Sequence, residues 1–328
     1  MKIGVVIMPE IILYTENLVK IYNNAGSARK NVNMDLSAVD SVDLSIIKGE
    51  TLGLVGESGC GKSTLGRMLV RLLNPTTGKI FFKGEDITSL SGAALREYRK
   101  KAQIVFQDPL SSLNPRMRID ELVVEPLFIH KACPKEHLAM RARTLLEKVG
   151  LGRIDSRVYP HQLSGGQLQR VGIARALAIN PDFIVCDEPV SALDVSIQSQ
   201  IINLLSDLQK ELGLTYLFIS HNLAVVRNIC DRVAVMYLGK IVELSDSESF
   251  FKKPLHPYSR MLLEAVPKPN PRTKRIRGAA KGEVTRAAAK TPGCSFFPRC
   301  PESAEICRTS TPGLRSLGAG KRVACHRI

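Results

Sequence analysis

Residues 51–64 read TLGLVGESGCGKST, and their order decides the fold. Thr51 to Val55 is an apolar run without a charge, the pattern of a strand buried on both faces. Gly56, Glu57, Ser58, Gly59, Cys60 and Gly61 form a glycine-rich turn, and a helical pattern runs from Lys62 to Leu73. Strand, turn and helix together satisfy G-x-x-x-x-G-K-S/T in the context that gives this motif its meaning. The glycines let backbone N–H groups turn inward around phosphate oxygens. Lys62 adds a positive charge, the helix start adds its dipole end, and Ser63, followed by Thr64, offers a hydroxyl to Mg2+.

Such a loop needs an acidic partner at the end of another buried strand. FIVCDE at 183–188 supplies one: Asp187 fits the metal side, and Glu188 fits the base that orients or activates an attacking water. Other strand patterns fall at 11–14, 42–47, 79–82, 103–106, 215–220 and 232–237, with helical patterns at 62–73, 92–100, 137–149, 166–179, 197–212 and 222–229. That alternation predicts an α/β domain with a largely parallel sheet. Residues 108–165 lack strand patterns and read as a helical insertion.

A second glycine motif, LSGGQ at 163–167, opens the helical run 166–179. Ser164, Gly165, Gly166 and Gln167 can aim a helix N-terminus and a hydroxyl at a second anion. With this motif the chain resembles the ATP-binding cassette (ABC) ATPases of membrane transporters. The resemblance implies a P-loop NTPase core with an antiparallel β edge and a helical subdomain. It also implies two ATPs sandwiched in a head-to-tail pair, with LSGGQ facing the partner's γ-phosphate. Gln107, in VFQDP at 105–109, then matches the glutamine that touches Mg2+ and leads toward the membrane partner. Asp194 closes the Ser191–Asp194 loop that crosses the dimer, and His221 after YLFIS matches the switch histidine that contacts γ-phosphate and holds Glu188. Tyr22 resembles the aromatic that stacks on adenine, although residues 23–39 set it unusually far from the next strand. Asn222 stands where this subfamily usually has Asp.

Residues 103–118, YPHQLSGGQLQRVGIARAL at 159–177, DEPVSALDVSIQ at 187–198 and HPYSRMLLEAVP at 256–267 narrow the resemblance to ATPase subunits of oligopeptide/dipeptide importers. On that resemblance residues 1–245 are the nucleotide-binding domain, with a helical subdomain at about 108–175, and 246–328 are a C-terminal extension. The implied partners are two transmembrane permease subunits, a second related ATPase or a second copy of this chain, and an extracytoplasmic substrate-binding protein. The implied location is the cytoplasmic face of the membrane. Nickel or oligosaccharide uptake is the alternative within the class. DNA-acting ABC ATPases would need a long coiled coil where only about 55 residues separate Gln107 from Leu163, and ribosome-acting ones would need two cassettes.

Texture changes past residue 245, where prolines 254, 257, 267, 269 and 271 precede a basic stretch. Residues 268–290 hold eight Lys/Arg against one acid, nearly half of the chain's net charge of +15. That stretch reads as a solvated linker or as a surface for a membrane or partner. Cys294, Cys300, Cys307 and Cys325 then follow in C-x5-C-x6-C-x17-C spacing. Without the close C-x2–4-C pairs of structural zinc sites, wide-set thiolates suit an iron–sulfur cube. The importer extension, which the C-x-F-x-x-R-C-P opening resembles, implies a 4Fe–4S cluster. Zn2+, with His326 as an alternative ligand, and uncoordinated redox-sensitive thiols stay open. Distance in sequence from the ATP motifs suggests a structural, assembly or redox-sensing role for this segment and not a catalytic one. Cys60 and Cys186 read as small packing residues, and Cys133 and Cys230 carry no spacing signal.

Composition bounds the rest. The 328 residues are 44% hydrophobic and 23% charged, which excludes wholesale disorder. No apolar run approaches the roughly 18 residues of a membrane span. The N-terminal MKIGVVIMPE is too short in its apolar part for a signal peptide, which predicts a soluble chain kept inside the cell. Aromatics are 5% with no Trp, poor material for stacking single-stranded bases, so no nucleic-acid partner is expected.

Overall fold

The computed structural model describes residues 10–22, 36–266, 292–318 and 320–328. The basic stretch 268–290, the first nine residues and most of 23–39 lie outside the described residues. Two sheets carry the fold. The smaller is antiparallel: β2 (Leu36–Val42), β1 (Ile11–Tyr22), β5 (Thr77–Phe82) and β6 (Glu85–Asp86) in that order, with β3 (Ser45–Ile47) also on β1. The larger contains β4 (Thr51–Val55), flanked by β10 (Arg232–Tyr237) and β9 (Thr215–Ile219), and continues through β8 (Phe183–Asp187) to β7 (Ala102–Val105). These five strands pair in parallel throughout. β4, β8 and β9 are buried along their whole length, which is why they read as continuous apolar runs.

The parallel order brings four carboxyl ends to one rim. β4 runs into the glycine loop, β7 into Gln107, β8 into Glu188 and β9 into His221. In open α/β sheets this rim is where ligands bind. One core packs the helix Lys62–Leu69 between the two sheets, with Leu52, Leu65, Met68, Ile80 and Ile219 in it. A second lies on the other face of the large sheet, under the helices Gly165–Leu177 and Val195–Leu212.

Between β7 and β8 the chain is helical, as its sequence suggests: Pro109–Ser112, Ile119–Ile129, Leu138–Lys148 and Gly165–Leu177. The helix Ile119–Ile129 escapes the sequence pattern because Pro126 interrupts it. It forms because Asp120 and Glu121 fill the first turn, Glu121 accepts the Arg118 N–H at 3.0 Å, and Ile119, Leu122, Val123 and Leu127 are buried. The strand expected at 42–47 is broken at Asp43–Leu44, where Leu44 N–H turns to the Thr15 hydroxyl at 3.0 Å.

After β10 the chain stays on the large sheet for one strand and returns to it at its end. β11 (Lys240–Asp246) pairs antiparallel with β10, β13 (Arg322–Val323) with β11, and β12 (Arg315–Ser316) with β13. β11 carries buried Glu243 and Ser245 among its apolar residues, which hid it in the sequence. Glu243 has a structural use. Its carboxylate accepts the N–H groups of Leu255 at 2.9 Å and His256 at 2.7 Å, fixing the turn into the helix Pro257–Glu264. Beyond it Tyr258 and Phe296 pack on Tyr237 of β10, with centroids 4.6 and 5.3 Å away. The C-terminal segment is thus bolted to a core strand by aromatic packing and strand pairing.

His256 caps that helix: its Nδ1 accepts the Tyr258 N–H at 3.0 Å, so the site holds a neutral ring. Burial, and then Arg260, lower its pKa to about 4. A folded pKa below the unfolded value means that the unfolded chain takes the proton first. Stability is therefore full above about pH 6.5 and falls as pH drops toward 4, by roughly 3 kcal/mol. Thermal melts at pH 7.5, 5.5 and 4.5 check this. The wild type should lose more stability on acidification than His256→Asn, which keeps a side-chain acceptor but cannot titrate.

Candidate functional site

A cleft of about 600 Å³ opens on the carboxyl rim of the large sheet. Ser58, Gly59, Cys60, Gly61, Lys62, Ser63 and Thr64 line it, and so do Tyr22, Gln107, Glu188 and His221. Ser37, Ala38, Leu238 and Gly239 complete the lining. These four have no chemical signature in the sequence. They come from the edge strand β2 and the β10–β11 turn, and only topology brings them to the loop.

The loop is tightly confined. Gly61 has φ +109°, and a Cβ there would stand 2.0 Å from the Ala38 carbonyl oxygen. Gly56 has φ +155°, with the Met236 carbonyl 2.2 Å from a would-be Cβ. Gly239 N–H also donates to the Cys60 carbonyl at 2.9 Å. Lys62 is buried, and its Nζ donates to the carbonyls of Gly56 at 2.8 Å and Glu57 at 2.9 Å. An ammonium at the start of the helix Lys62–Leu69, inside a ring of backbone amides, is the equipment for a triphosphate.

Behind the loop, Ser63 Oγ donates to Asp187 Oδ1 at 2.7 Å. Asp187 is 2% exposed, and burial raises its pKa, with the Ser63 bond and Arg67 working the other way. Two hard oxygen donors this close, one a buried carboxylate, fit Mg2+, which takes one or two carboxylates and fills its shell with water and phosphate oxygens.

At the front, Glu188 Oε2 accepts from Gln107 Nε2 at 3.2 Å and pairs with His221 Nδ1 at 3.1 Å. The carboxylate is thereby held between two side chains from different strand ends. Its backbone sits at φ 48°, a left-handed conformation that costs a non-glycine residue of order 1 kcal/mol or more. The Ser191 N–H at 3.3 Å and hydroxyl at 3.1 Å donate to the Glu188 carbonyl and hold it there. Sequence reasoning linked His221 to Glu188 and placed Gln107 on Mg2+. In this structure the Gln107 amide is on the same carboxylate. Asn222, which stands where the subfamily usually has Asp, accepts from the N–H groups of Ala224 at 3.0 Å and Val225 at 3.5 Å and caps the next helix, a task Asn performs as well as Asp.

Ser164–Gln167 and Asp194 do not line this cleft. Ser164 Oγ accepts the Gln167 N–H at 3.4 Å and Gln167 Oε1 accepts the Ser164 N–H at 2.9 Å, a reciprocal cap on the helix Gly165–Leu177. Gly166 has Ile197 Cγ2 2.5 Å from a would-be Cβ, so the glycine lets two helices touch. Asp194 is an exposed N-cap residue whose side chain makes no cap bond.

Of the four terminal cysteines, Cys307 and Cys325 are buried and Cys294 and Cys300 half-buried. Burial raises the Cys294 thiol pKa, and Cys307 and Cys325 raise it further; Cys300 is raised by burial and by Cys294 and Cys325. Among the described residues no three His, Cys, Asp or Glu side chains are gathered where they could hold a metal ion, so the structure supports neither Zn2+ nor the 4Fe–4S cluster that the resemblance implies. His326 Nε2 bonds to the Ser310 carbonyl at 2.8 Å, which engages that ring nitrogen on the backbone.

Comparison with known proteins agrees with this geometry. Residues 39–191 match the family described as ABC transporter, and 242–307 match the oligopeptide/dipeptide transporter C-terminal region. The oligopeptide transport ATP-binding protein AppF of Bacillus subtilis is 51% identical over 295 residues, covering 89% of this chain and 90% of AppF. Among solved structures, a dimeric ATP-binding cassette, MJ0796, bound to ADP and Pi, is 31% identical, with TM-score 0.64 over 72% of this chain and 99% of that one. CbiO1 of Clostridium perfringens, part of an ABC transporter complex, is 30% identical, with TM-score 0.64 over 75% and 92%. The fold and cleft define a P-loop ATPase of the cassette type. The chain belongs to the ABC transporter ATP-binding family, in the branch that carries the oligopeptide/dipeptide C-terminal region, and it hydrolyses ATP as part of a transporter.

The held carboxylate of Glu188 yields a direct expectation. Glu188→Gln keeps the shape and both contacts but cannot accept a proton, so MgATP should still bind while turnover falls by about 10²–10⁴-fold. Binding and steady-state hydrolysis by the assembled transporter check it, and turnover within a few-fold of wild type would contradict it.

Proposed function

We propose that this chain powers uptake of di- and oligopeptides by an ABC importer. The observation that carries the peptide reading is the oligopeptide/dipeptide C-terminal region at 242–307, joined to a complete ATP cleft in the same chain. Residues 1–245 act as the nucleotide-binding domain, with 108–175 as its helical subdomain and 246–328 as the extension.

Tyr22 stacks on adenine, the loop Gly56–Thr64 and Lys62 hold the phosphates, and Ser63, Asp187 and Gln107 hold Mg2+. Held by these residues, Mg2+ would supply neutralisation of the phosphate charge. Glu188 accepts a proton from the water that attacks the γ-phosphorus, the bond to the β-phosphate oxygen breaks, and ADP and phosphate leave. His221 keeps the Glu188 carboxylate in line. Because Ser164–Gln167 and Asp194 stand apart from the chain's own cleft, they serve the ATP of a second subunit. That subunit is a related ATPase, with a homodimer as the other arrangement. Two permease subunits dock near Gln107 and the helical insertion, and an extracytoplasmic binding protein selects the cargo. Among the described residues no helix is long and apolar enough to cross a membrane. On this reading the chain sits peripherally on the cytoplasmic face, the side that supplies ATP.

Uptake by the reconstituted transporter, comparing labelled peptides, nickel and oligosaccharides, tests the substrate. Peptide-stimulated ATPase and peptide uptake are expected. Uptake of nickel or an oligosaccharide with none of peptide would overturn the reading.

The four cysteines hold a 4Fe–4S cluster on this reading. The wide spacing supports it, since a cube puts each thiolate on its own iron. Protein purified without oxygen should be brown and contain about four irons per chain. Serine at Cys307 should lower that content, and serine at Cys133 should not. One zinc per chain and no iron would contradict it.

A further inference from the structure

Glu57, the second residue of the phosphate loop, is gripped by the C-terminal segment at two separate points. Its carboxylate takes both ends of the Arg299 guanidinium, Nη1 to Oε2 at 2.8 Å and Nη2 to Oε1 at 2.9 Å. Its backbone N–H donates to the hydroxyl of Tyr258 at 2.9 Å. The remaining polar group, its carbonyl, accepts from Lys62 Nζ at 2.9 Å and the Cys60 N–H at 3.3 Å. Every polar atom of Glu57 is therefore engaged, three of the four by residues some 200 or more positions away in sequence.

The grip is rigid on the far side as well. The Arg299 side chain is 9% exposed, with its guanidinium 5.9 Å from the Tyr237 ring centroid. Tyr258 is fully buried against Tyr237 and Phe296. Arg299 ends the turn Phe297–Arg299 and immediately precedes Cys300, and Cys294 N–H donates to the Cys307 carbonyl at 2.8 Å at the base of that turn. A bidentate guanidinium fixes both position and angle, which a lysine cannot do.

Neither Arg299 nor Tyr258 lines the ATP cleft. We propose that they are positioning residues of the phosphate loop, acting through Glu57, and that the affinity for MgATP depends on the folded Cys294–Cys325 segment. This deepens the ATP-site reading and rests on it. When the grip is lost, the loop occupies its binding-competent shape for only part of the time, and apparent affinity falls by that fraction. The chemical step, set by Glu188 and its partners, is untouched. Coupling is reciprocal, so MgATP must also steady the segment.

The test uses the full chain and its assembled transporter. Arg299→Gln should weaken MgATP binding and raise KM by about 5–30-fold while kcat stays within about twofold. Arg299→Lys should fall between this variant and wild type. Glu57→Ala should match Arg299→Gln, and the two together should add little. In wild type, MgATP should slow amide hydrogen exchange at residues 294–307, and Arg299→Gln should abolish that protection. Tyr258→Phe, which removes only the hydroxyl that accepts the Glu57 N–H, decides the matter if Arg299→Gln fails to fold, and should weaken MgATP binding with kcat unchanged. Variants that bind MgATP within twofold of wild type, or an exchange pattern at 294–307 indifferent to MgATP, overturn the proposal. Lys62→Ala separates the two levels: if wild type and Lys62→Ala bind MgATP alike, the ATP-site reading itself has failed.

Discussion

A phosphate-binding loop works only while its backbone amides stay turned toward the anion, and every layer of this fold bears on that requirement. β4 delivers the loop from the middle of a parallel sheet, and the helix Lys62–Leu69 closes it. The edge strand β2 crowds Gly61 from one side through the Ala38 carbonyl, and the β10–β11 turn holds Cys60 through Gly239. The C-terminal segment holds Glu57. The loop has little freedom left to lose when nucleotide arrives, which is the physical content of preorganisation.

Glu188 obeys the same logic in a different way. Its strained backbone and two side-chain partners aim a single carboxylate over the cleft, at a cost that the buried strand β8 and the Ser191 contacts absorb. Asp187, the last residue of β8, serves Ser63 instead. Two adjacent acids thus take two tasks because the chain leaves the strand at Glu188, in a left-handed conformation.

Much of this was legible in the sequence because the informative residues are local. The loop, the Asp187–Glu188 pair and LSGGQ each lie within a few consecutive residues, and their flanking apolar runs are long enough to read. The helix Ile119–Ile129 was hidden by Pro126, and β11 by the buried Glu243 and Ser245, since both break the apolar period that marks an element. The cysteine segment, distant from the ATP motifs in sequence, reaches the phosphate loop in space through Arg299. Arg299 and Tyr258 sit in stretches that read only as marks of the importer extension, and strand pairing and aromatic packing bring them to Glu57. Sequence distance does not measure distance in a sheet whose last strands come from the end of the chain.

The proposed function rests on an ATP site shared between two subunits, in which this chain would bind one nucleotide with its own loop and complete another with Ser164. Placing Ser164→Arg in this chain alone, and measuring both MgATP binding by the purified chain and hydrolysis by the assembled transporter, tests that most directly. The account predicts unchanged binding at the chain's own cleft and a transporter whose turnover falls to half or less. Loss of binding by the purified chain, or full turnover in the transporter, would contradict it.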